Sequence, residues 1–245
     1  TIAPSYYNNL GYGSDFAYRY YLDRRSSGQW FASFLQQTKL PNVSGVDQVS
    51  SDERRLRGLI SGQHVQQVTE TLLVRGQASF VSDRQYLQQL SNSGAQRASP
   101  SGESALLATQ RLPYGSAYFL GQYLQPLNSG GPDTFQRLPE VGYVLPNTSP
   151  FGLPFLLNLD TNFVNFYREQ GFAVNRMDFM PGITTDVLDV GHVIGLTPHF
   201  KFKELYYTRG IQEASPLHRE TFWAAMDATS KLSRRYTGGE GGSFL

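Results

Sequence analysis

Hydrophobic and polar residues alternate with a period of two over several long stretches of the chain. In the stretch 191–208 the apolar residues occupy even positions and the polar or basic ones odd positions: Leu196, Pro198, Phe200 and Phe202 against Thr197, His199, Lys201 and Lys203. A period of two is the side-chain repeat of a β-strand, whereas a helix repeats every three to four residues. Strands of this length with two distinct faces are typical of transmembrane β-barrels.

The same alternation recurs along the chain and predicts a series of hairpins without any helix. Strands are predicted near residues 1–8, 16–22, 29–40, 53–66, 68–81, 103–112, 114–127, 135–145, 153–163, 171–187, 191–208 and 217–236. Residues 91–102 are the most loop-like stretch. About a dozen strands of about 9–14 residues match the span of a tilted membrane strand. The predicted fold is all-β, an antiparallel up-and-down transmembrane β-barrel segment that forms part of a larger barrel.

Polar residues interrupt the apolar positions of one predicted strand and indicate a hydrated face. Asn158, Asp160 and Asn162 alternate with Leu157, Leu159 and Phe163. Such polar groups are costly in a dry core and easily placed in a wet lumen. The residues predicted to face the lumen are Asn158, Asp160, Asn162, Thr197, His199, Lys201 and Lys203. Those predicted to face lipid are Leu157, Phe163, Leu196, Phe200 and Phe202.

Composition agrees with a barrel and excludes several other classes. Charged residues make up 17% of the chain and aromatic residues 13%, and the formal net charge is +1. The balance does not predict nucleic-acid binding. There is no cysteine and no apolar run of about 18 residues, so neither a disulfide nor a transmembrane helix is predicted. The first residue is Thr1, and we expect the chain to be a piece of a longer protein.

The sequence does not predict a catalytic or metal site. His192 and His199 are seven residues apart and match no common metal-ligand spacing. No GxSxG motif is present, so a hydrolase is not favoured. The basic residues Lys201, Lys203 and Arg209 lie near Tyr206 and Tyr207 in sequence. They are interpreted as the charges that flank an aromatic girdle, with contact to lipid phosphates or sugars as the alternative. We predict no enzymatic activity and no cofactor.

Four motifs occur in an order that resembles a known family. They are TIAPSYY followed by YRYYL near the start, SDRQYL at 82–87, QRLPEVGYVLP at 136–146 and LTPHFKFKELYYT at 196–208. In this order and spacing they resemble the LPS-assembly outer-membrane proteins of the LptD (OstA) family. The resemblance extends over nearly the whole chain, and we interpret residues 1–245 as part of one outer-membrane β-barrel domain.

Membership would imply a role in inserting lipopolysaccharide (LPS) into the outer leaflet of a Gram-negative outer membrane. The resemblance implies an LptE-like lipoprotein that plugs the lumen, and an LptA-like periplasmic bridge that delivers LPS. The bridge would contact a periplasmic N-terminal domain that is absent from this chain, as are the C-terminal strands of the barrel and the family's cysteines. No nucleic acid is expected among the partners.

Pro4, within TIAPSYY, falls where the family has a proline in an early strand beside the seam through which LPS leaves sideways. Proline lacks an N–H group, so we expect it to weaken the ladder and ease the parting of strands. The alternative is a proline that merely ends an edge strand.

Two other functions fit the alternation. A soluble carbohydrate-binding β-sandwich would pack two apolar faces against each other. A porin or receptor-type barrel would share the architecture of the LPS translocon and differ in the motifs.

Overall fold

The computed structural model describes an antiparallel β-sheet with one short helical insert. The described residues are 1–8, 10–38, 55–83, 85–91, 94–127, 134–149, 152, 155–168, 172–185, 187–209 and 215–231. The strands are β1 Ile2–Tyr7, β2 Gly11–Asp23, β3 Ser26–Gln37, β4 Arg55–Gln67, β5 Leu72–Val81, β6 Ser101–Arg111, β7 Ser116–Pro126, β8 Gln136–Thr148, β9 Phe155–Tyr167, β10 Val174–Thr185, β11 Leu188–Val190, β12 Ile194–Tyr207 and β13 Leu217–Ser230.

All these strands belong to a single 13-stranded sheet, which confirms the predicted fold class. From β1 to β10 each strand pairs with its neighbour in sequence; β10 then pairs with β12, and β12 with β13. The three-residue β11 extends the hairpin before β12. A sandwich needs a second sheet facing the first. Because all described strands form one sheet, the sandwich alternative is wrong.

Strand length follows the prediction except at two elements. Apart from β1 and β11, every strand has 10 to 14 residues. The strand ends predicted at Leu40, Glu53, Leu153, Gly171 and Tyr236 lie outside the described residues.

The register gives the sheet two faces of different composition. Directly opposed residues of antiparallel strands point to the same side, so the pairings can be followed from strand to strand. One face, here called the polar face, carries Arg19, Gln29, Gln63, Arg75, Gln77, Glu140, Asn162 and Asp178. The other, the apolar face, carries Phe16, Trp30, Ile60, Phe80, Phe119, Val141, Phe179 and Phe222.

Buried residues of the polar face contrast with highly exposed hydrophobic residues of the apolar face. Val164 has no exposed surface and Glu140 is buried, and both lie on the polar face. On the apolar face Phe222 is 73% exposed and Met226 62% exposed. A sheet with exposed hydrophobic side chains on one face and polar side chains on the other is the pattern expected of a barrel wall.

Two short helices lie between β5 and β6, where the sequence predicted none. They are α1, Tyr86–Leu90, and α2, Gly94–Arg97. The first begins after Asp83, whose side chain accepts the backbone N–H of Gln85 at 3.1 Å, a local bond that favours a turn. Within the described residues, no helix is long and apolar enough to cross a membrane.

Candidate functional site

All seven residues predicted for the lumen lie on the polar face. Asn158 in β9 is opposite Gly182 in β10, and Gly182 is opposite Lys201 in β12. Because strands β9, β10 and β12 keep this register without a shift, the remaining candidates follow by steps of two: Asp160, Asn162, Thr197, His199 and Lys203. The register therefore brings together residues some 40 positions apart in sequence. Their lumenal role remains a prediction.

Ion pairs and hydrogen bonds join part of this set across three strands. The Lys203 Nζ lies 3.1 Å from an Asp178 carboxylate oxygen. His199 bridges two strands, because its Nε2 is 2.8 Å from Asp227 Oδ2 and its Nδ1 is 3.1 Å from Thr184 Oγ1. These contacts give the partly buried side chains of Lys203, Asp178 and His199 polar partners away from bulk water.

The three β9 candidates have different surroundings. The Asn158 amide donates to the Asn147 side chain at 2.8 Å, and the Asn162 carbonyl accepts from Arg176 at 3.2 Å. Asp160 is exposed to solvent. Two amides with partners and an exposed carboxylate are compatible with a hydrated surface, as predicted from the sequence.

Lys201 and Thr197 are the candidates with the least contact to neighbours. Thr197 lies opposite Asp227 in the β12–β13 register. Lys201 is exposed, and within the part of the chain that the structure describes no carboxylate lies within 4.0 Å of its ammonium nitrogen. Tyr206 lies on the apolar face, whereas Tyr207 shares the polar face with both lysines. The girdle interpretation of these lysines stays a prediction.

The residues predicted to face lipid share the apolar face. Leu157, Ile183 and Phe200 form one row across β9, β10 and β12. Phe202 packs on Phe222 of β13 with ring centroids 4.9 Å apart. The other two predicted members, Leu196 and Phe163, follow by register: each is an even number of residues from a member of the row. The orientation of this face toward lipid remains a prediction.

Pro4 lies in β1, which pairs only with β2 among the described strands. Thr1 and Ala17 exchange two backbone bonds, with N–O distances of 2.7 and 2.9 Å. In an antiparallel ladder such pairs alternate with pairs that exchange none. The unbroken register places Pro4 opposite Ser14, three residues on, in a pair without bonds. The nitrogen of Pro4 therefore points away from β2, toward the free edge of the sheet.

This geometry changes how Pro4 acts. The expectation that it weakens its own ladder does not hold for the β1–β2 pair, because no donor toward β2 is lost. What the proline removes is one donor on the outer side of β1, where any further strand would have to pair.

The sequence did not predict the contact between the helical insert and the polar face. The Arg57 guanidinium makes two 2.7 Å bonds to the Asp83 carboxylate and a 2.8 Å bond to Gln89. The Tyr86 hydroxyl donates to Ser33 Oγ at 2.9 Å. Around these bonds is the main buried hydrophobic cluster of the described residues, which comprises Leu35, Leu59, Val81, Tyr86, Leu87 and Leu127. The insert thus fastens β3, β4 and β5 together on the polar face.

A helical signal for this insert was present in the sequence. Tyr86, Leu87 and Leu90 are apolar at the spacing of one helix face, within the SDRQYL motif and just after it. Five helical residues are too few for the periodicity to stand out from loop sequence.

Electrostatics at the insert follow from its burial. Burial raises the pKa of the Asp83 carboxyl, but the hydrogen bonds and positive charge of Arg57, with bonds from Ser82 and the Gln85 amide, outweigh it and leave the pKa below its ordinary value. Burial also raises the pKa of Tyr86, so its hydroxyl stays protonated and able to donate at neutral pH.

Comparison with known proteins assigns the family. Among the described residues, no three metal-ligating side chains come together. A search of curated proteins finds no match. The family model of LptD, described as LPS transport system D, matches residues 55–208, which is more than half of the chain and includes three of the four motifs. With its 13-stranded up-and-down sheet, apolar on one face and polar on the other, this chain belongs to the LptD family of outer-membrane LPS transport proteins.

Proposed function

We propose that this chain forms part of the barrel that carries LPS across the outer membrane and inserts it into the outer leaflet of a Gram-negative cell. The observation that carries the proposal is the family match over residues 55–208, because it covers strands β4 to β12 and therefore most of the two-faced sheet. The barrel provides a path for LPS and a boundary between that path and the membrane. No catalysis and no cofactor are part of this function.

In this proposal the polar face lines the lumen and the apolar face contacts lipid. Two to four residues connect β2 with β3, β4 with β5 and β6 with β7, whereas 17 residues separate β3 from β4 and 19 separate β5 from β6 at the opposite ends of these strands. Outer-membrane barrels have short periplasmic turns and longer extracellular loops. The end that carries the helical insert is therefore the extracellular end, where LPS must arrive.

The free edge of β1 supports a lateral exit at this position. The outer side of β1 has no strand partner among the described residues, and Pro4 lacks the donor that would point there. Each unsatisfied backbone group costs several kcal/mol in hydrocarbon, so a seam with one donor fewer parts at lower cost. We propose that Pro4 weakens the seam between β1 and a closing strand.

The remaining partners belong to the same proposal. Among the described strands, β1 and β13 each leave one edge of the sheet without a partner, and a barrel in a membrane must close. Further strands beyond this chain would close it, an LptE-like lipoprotein would occupy the lumen, and an LptA-like bridge would deliver LPS through a preceding periplasmic domain.

Depletion of the full-length protein in its own cells tests the function. We expect newly made LPS to stop reaching the cell surface, and to return when the full-length gene is supplied again. A porin or receptor-type barrel gives the opposite pattern: solute or ligand uptake falls while LPS reaches the surface at the normal rate. That second pattern would refute the proposed function.

A further inference from the structure

A shallow depression of about 440 Å³ lies on the polar face between β10, β12 and β13. It is lined by Met180, His199, Lys201, Trp223 and Ala225. Lys201 and Trp223 are directly opposed in the β12–β13 register. The volume is in the range of small-molecule sites, which is about 300–1,000 Å³.

Small residues lie opposite Lys201 and beside Trp223. On the β10 side Lys201 is opposite Gly182, where the Asn158 side chain occupies the space that a Cβ atom would take. On β13 the next residue of the polar face after Trp223 is Ala225, opposite His199. Ala225 lines the depression, and a larger residue at this position would extend into it. The register thus places Lys201 and Trp223 directly opposite each other in the wall of the depression.

Charge is distributed unevenly around this depression. Lys203 is held by Asp178 at 3.1 Å, and the carboxylate of Asp227 is held by His199 at 2.8 Å. Lys201 has no such counter-charge within 4.0 Å among the described residues. The depression therefore presents one uncompensated cation, and an anion that binds there need not displace a carboxylate.

Trp223 presents a large apolar ring, 46% exposed, directly opposite Lys201 on this face. The chain has one other tryptophan, Trp30, and the register places it on the apolar face. An exposed indole beside a cation offers a flat apolar surface together with a polar edge, and such amphipathic rings suit ligands that are apolar on one side and polar on the other. A sugar ring that carries a phosphate has this character.

We propose that this depression is a binding site for the phosphorylated sugar part of LPS, with Lys201 pairing with a phosphate and Trp223 stacking on a sugar ring. The inference rests on the proposed function and adds the part of LPS that is bound and where it is bound. An acyl chain is disfavoured because the Lys201 ammonium would lose water without gaining a partner.

The test places a photo-crosslinking amino acid at Ala225 of the full-length protein in cells. Ala224 is the matched control, since it is also an alanine in the middle of β13 but points to the apolar face. Ala3, on the polar side of β1 at the seam, is the control for the proposed function. We expect LPS adducts from positions 225 and 3, with much weaker adducts from position 224.

Variants in the Ala225 background separate the two contacts. Loss of one charged hydrogen bond should lower the adduct yield about tenfold in Lys201→Met, and Lys201→Arg should restore it. Trp223→Leu should lower the yield as well, whereas Trp30→Leu should not. In cells whose LPS core lacks phosphate, Lys201→Met should have no further effect. Heat-modifiable gel mobility identifies any variant that fails to fold. If Lys201→Met or Trp223→Leu fails to fold, the test rests on two adduct yields: that of Lys201→Arg, and that of unchanged Lys201 in cells with phosphate-free LPS.

The outcomes distinguish failure of the site from failure of the function. Adducts from position 3 without adducts from 225 would overturn the site and leave transport intact. Absence of LPS adducts from both positions would count against the proposed function as well. Three other outcomes would overturn the proposed binding site. They are adducts from position 225 to a lipoprotein in place of LPS, equal LPS adduct yields from positions 224 and 225, and adduct yields that are the same with phosphorylated and phosphate-free LPS cores.

Discussion

Removal of the Asp83 carboxylate should release the helical insert from the polar face. Arg57 is the centre of this contact: it lies in β4 with its side chain 6% exposed and makes two 2.7 Å bonds to Asp83. In Asp83→Ala the guanidinium keeps its bond to Gln89 and loses its only counter-charge within 4.0 Å among the described residues. The insert then depends on Tyr86, Leu87 and the remaining hydrogen bonds.

The size of the effect follows from burial. Breaking a buried ion pair by removing one partner costs about 3–5 kcal/mol, because the other charge is left uncompensated. Asp83 is 25% exposed, so water can partly replace it and the lower end of the range applies, about 3 kcal/mol. Since about 1.4 kcal/mol is a factor of ten, the insert should open roughly a hundredfold more often.

Hydrogen exchange of the full-length protein in detergent micelles measures this opening. In α1 the amide of Gln89 donates to Gln85 at 3.0 Å and is protected while the insert is closed. We expect its exchange to be about a hundredfold faster in Asp83→Ala. Arg137→Ala is the control, since Arg137 is 47% exposed and 3.5 Å from its partner Glu140, and it should change stability by less than about 1 kcal/mol.

A double-mutant cycle with Arg57→Ala separates the pair from other consequences of each substitution. The double variant should be less destabilised than the sum of the single ones, with a coupling energy of about 2–3 kcal/mol. A coupling no larger than that of the exposed Arg137–Glu140 pair, or unchanged exchange at Gln89, would refute the reasoning.

Three further predictions concern the faces, the seam and pH. Spin labels in the full-length protein in bilayers should report lipid at Phe202 and water at Lys203, and the reverse would disprove the face assignment. Pro4→Ala should add a hydrogen-bond donor to the seam without altering the β1–β2 ladder, and the appearance of LPS at the surface should become severalfold slower. Normal heat-modifiable gel mobility would show that the variant folds. Normal LPS transport by a folded variant would mean that Pro4 has no role at the seam. The pKa of the Asp83 carboxyl is lowered in the folded state. The stability that this carboxylate gives to the folded protein should therefore be constant above about pH 4, the pKa of an aspartate in the unfolded chain, and should be lost as the pH falls through the folded-state pKa. The difference in urea midpoint between the wild type and Asp83→Asn, measured from pH 8 to 3, checks this, and a difference that shrinks near pH 6 would contradict it.

The sequence by itself determined the strands and the composition of their two faces. In β12 the alternation of Phe200 and Phe202 with Lys201 and Lys203 predicts two faces without knowledge of the neighbouring strands, because side chains of a strand point alternately to its two sides. The same rule applies to β9, and glycine- and proline-rich stretches indicated the turns between strands. It is a property of consecutive residues, so it predicted the fold class and the division of candidate residues between faces.

The tertiary structure alone decided which polar groups meet. Lys203 finds Asp178 and Arg57 finds Asp83 only because neighbouring strands pair in one register, and a shift of two residues would keep both faces intact while separating both pairs. Alternation therefore leaves these contacts undetermined. The role of Pro4 is a similar case: the direction of its nitrogen depends on which side of β1 is occupied by β2, and this is set by pairing between strands and not by the pattern within one.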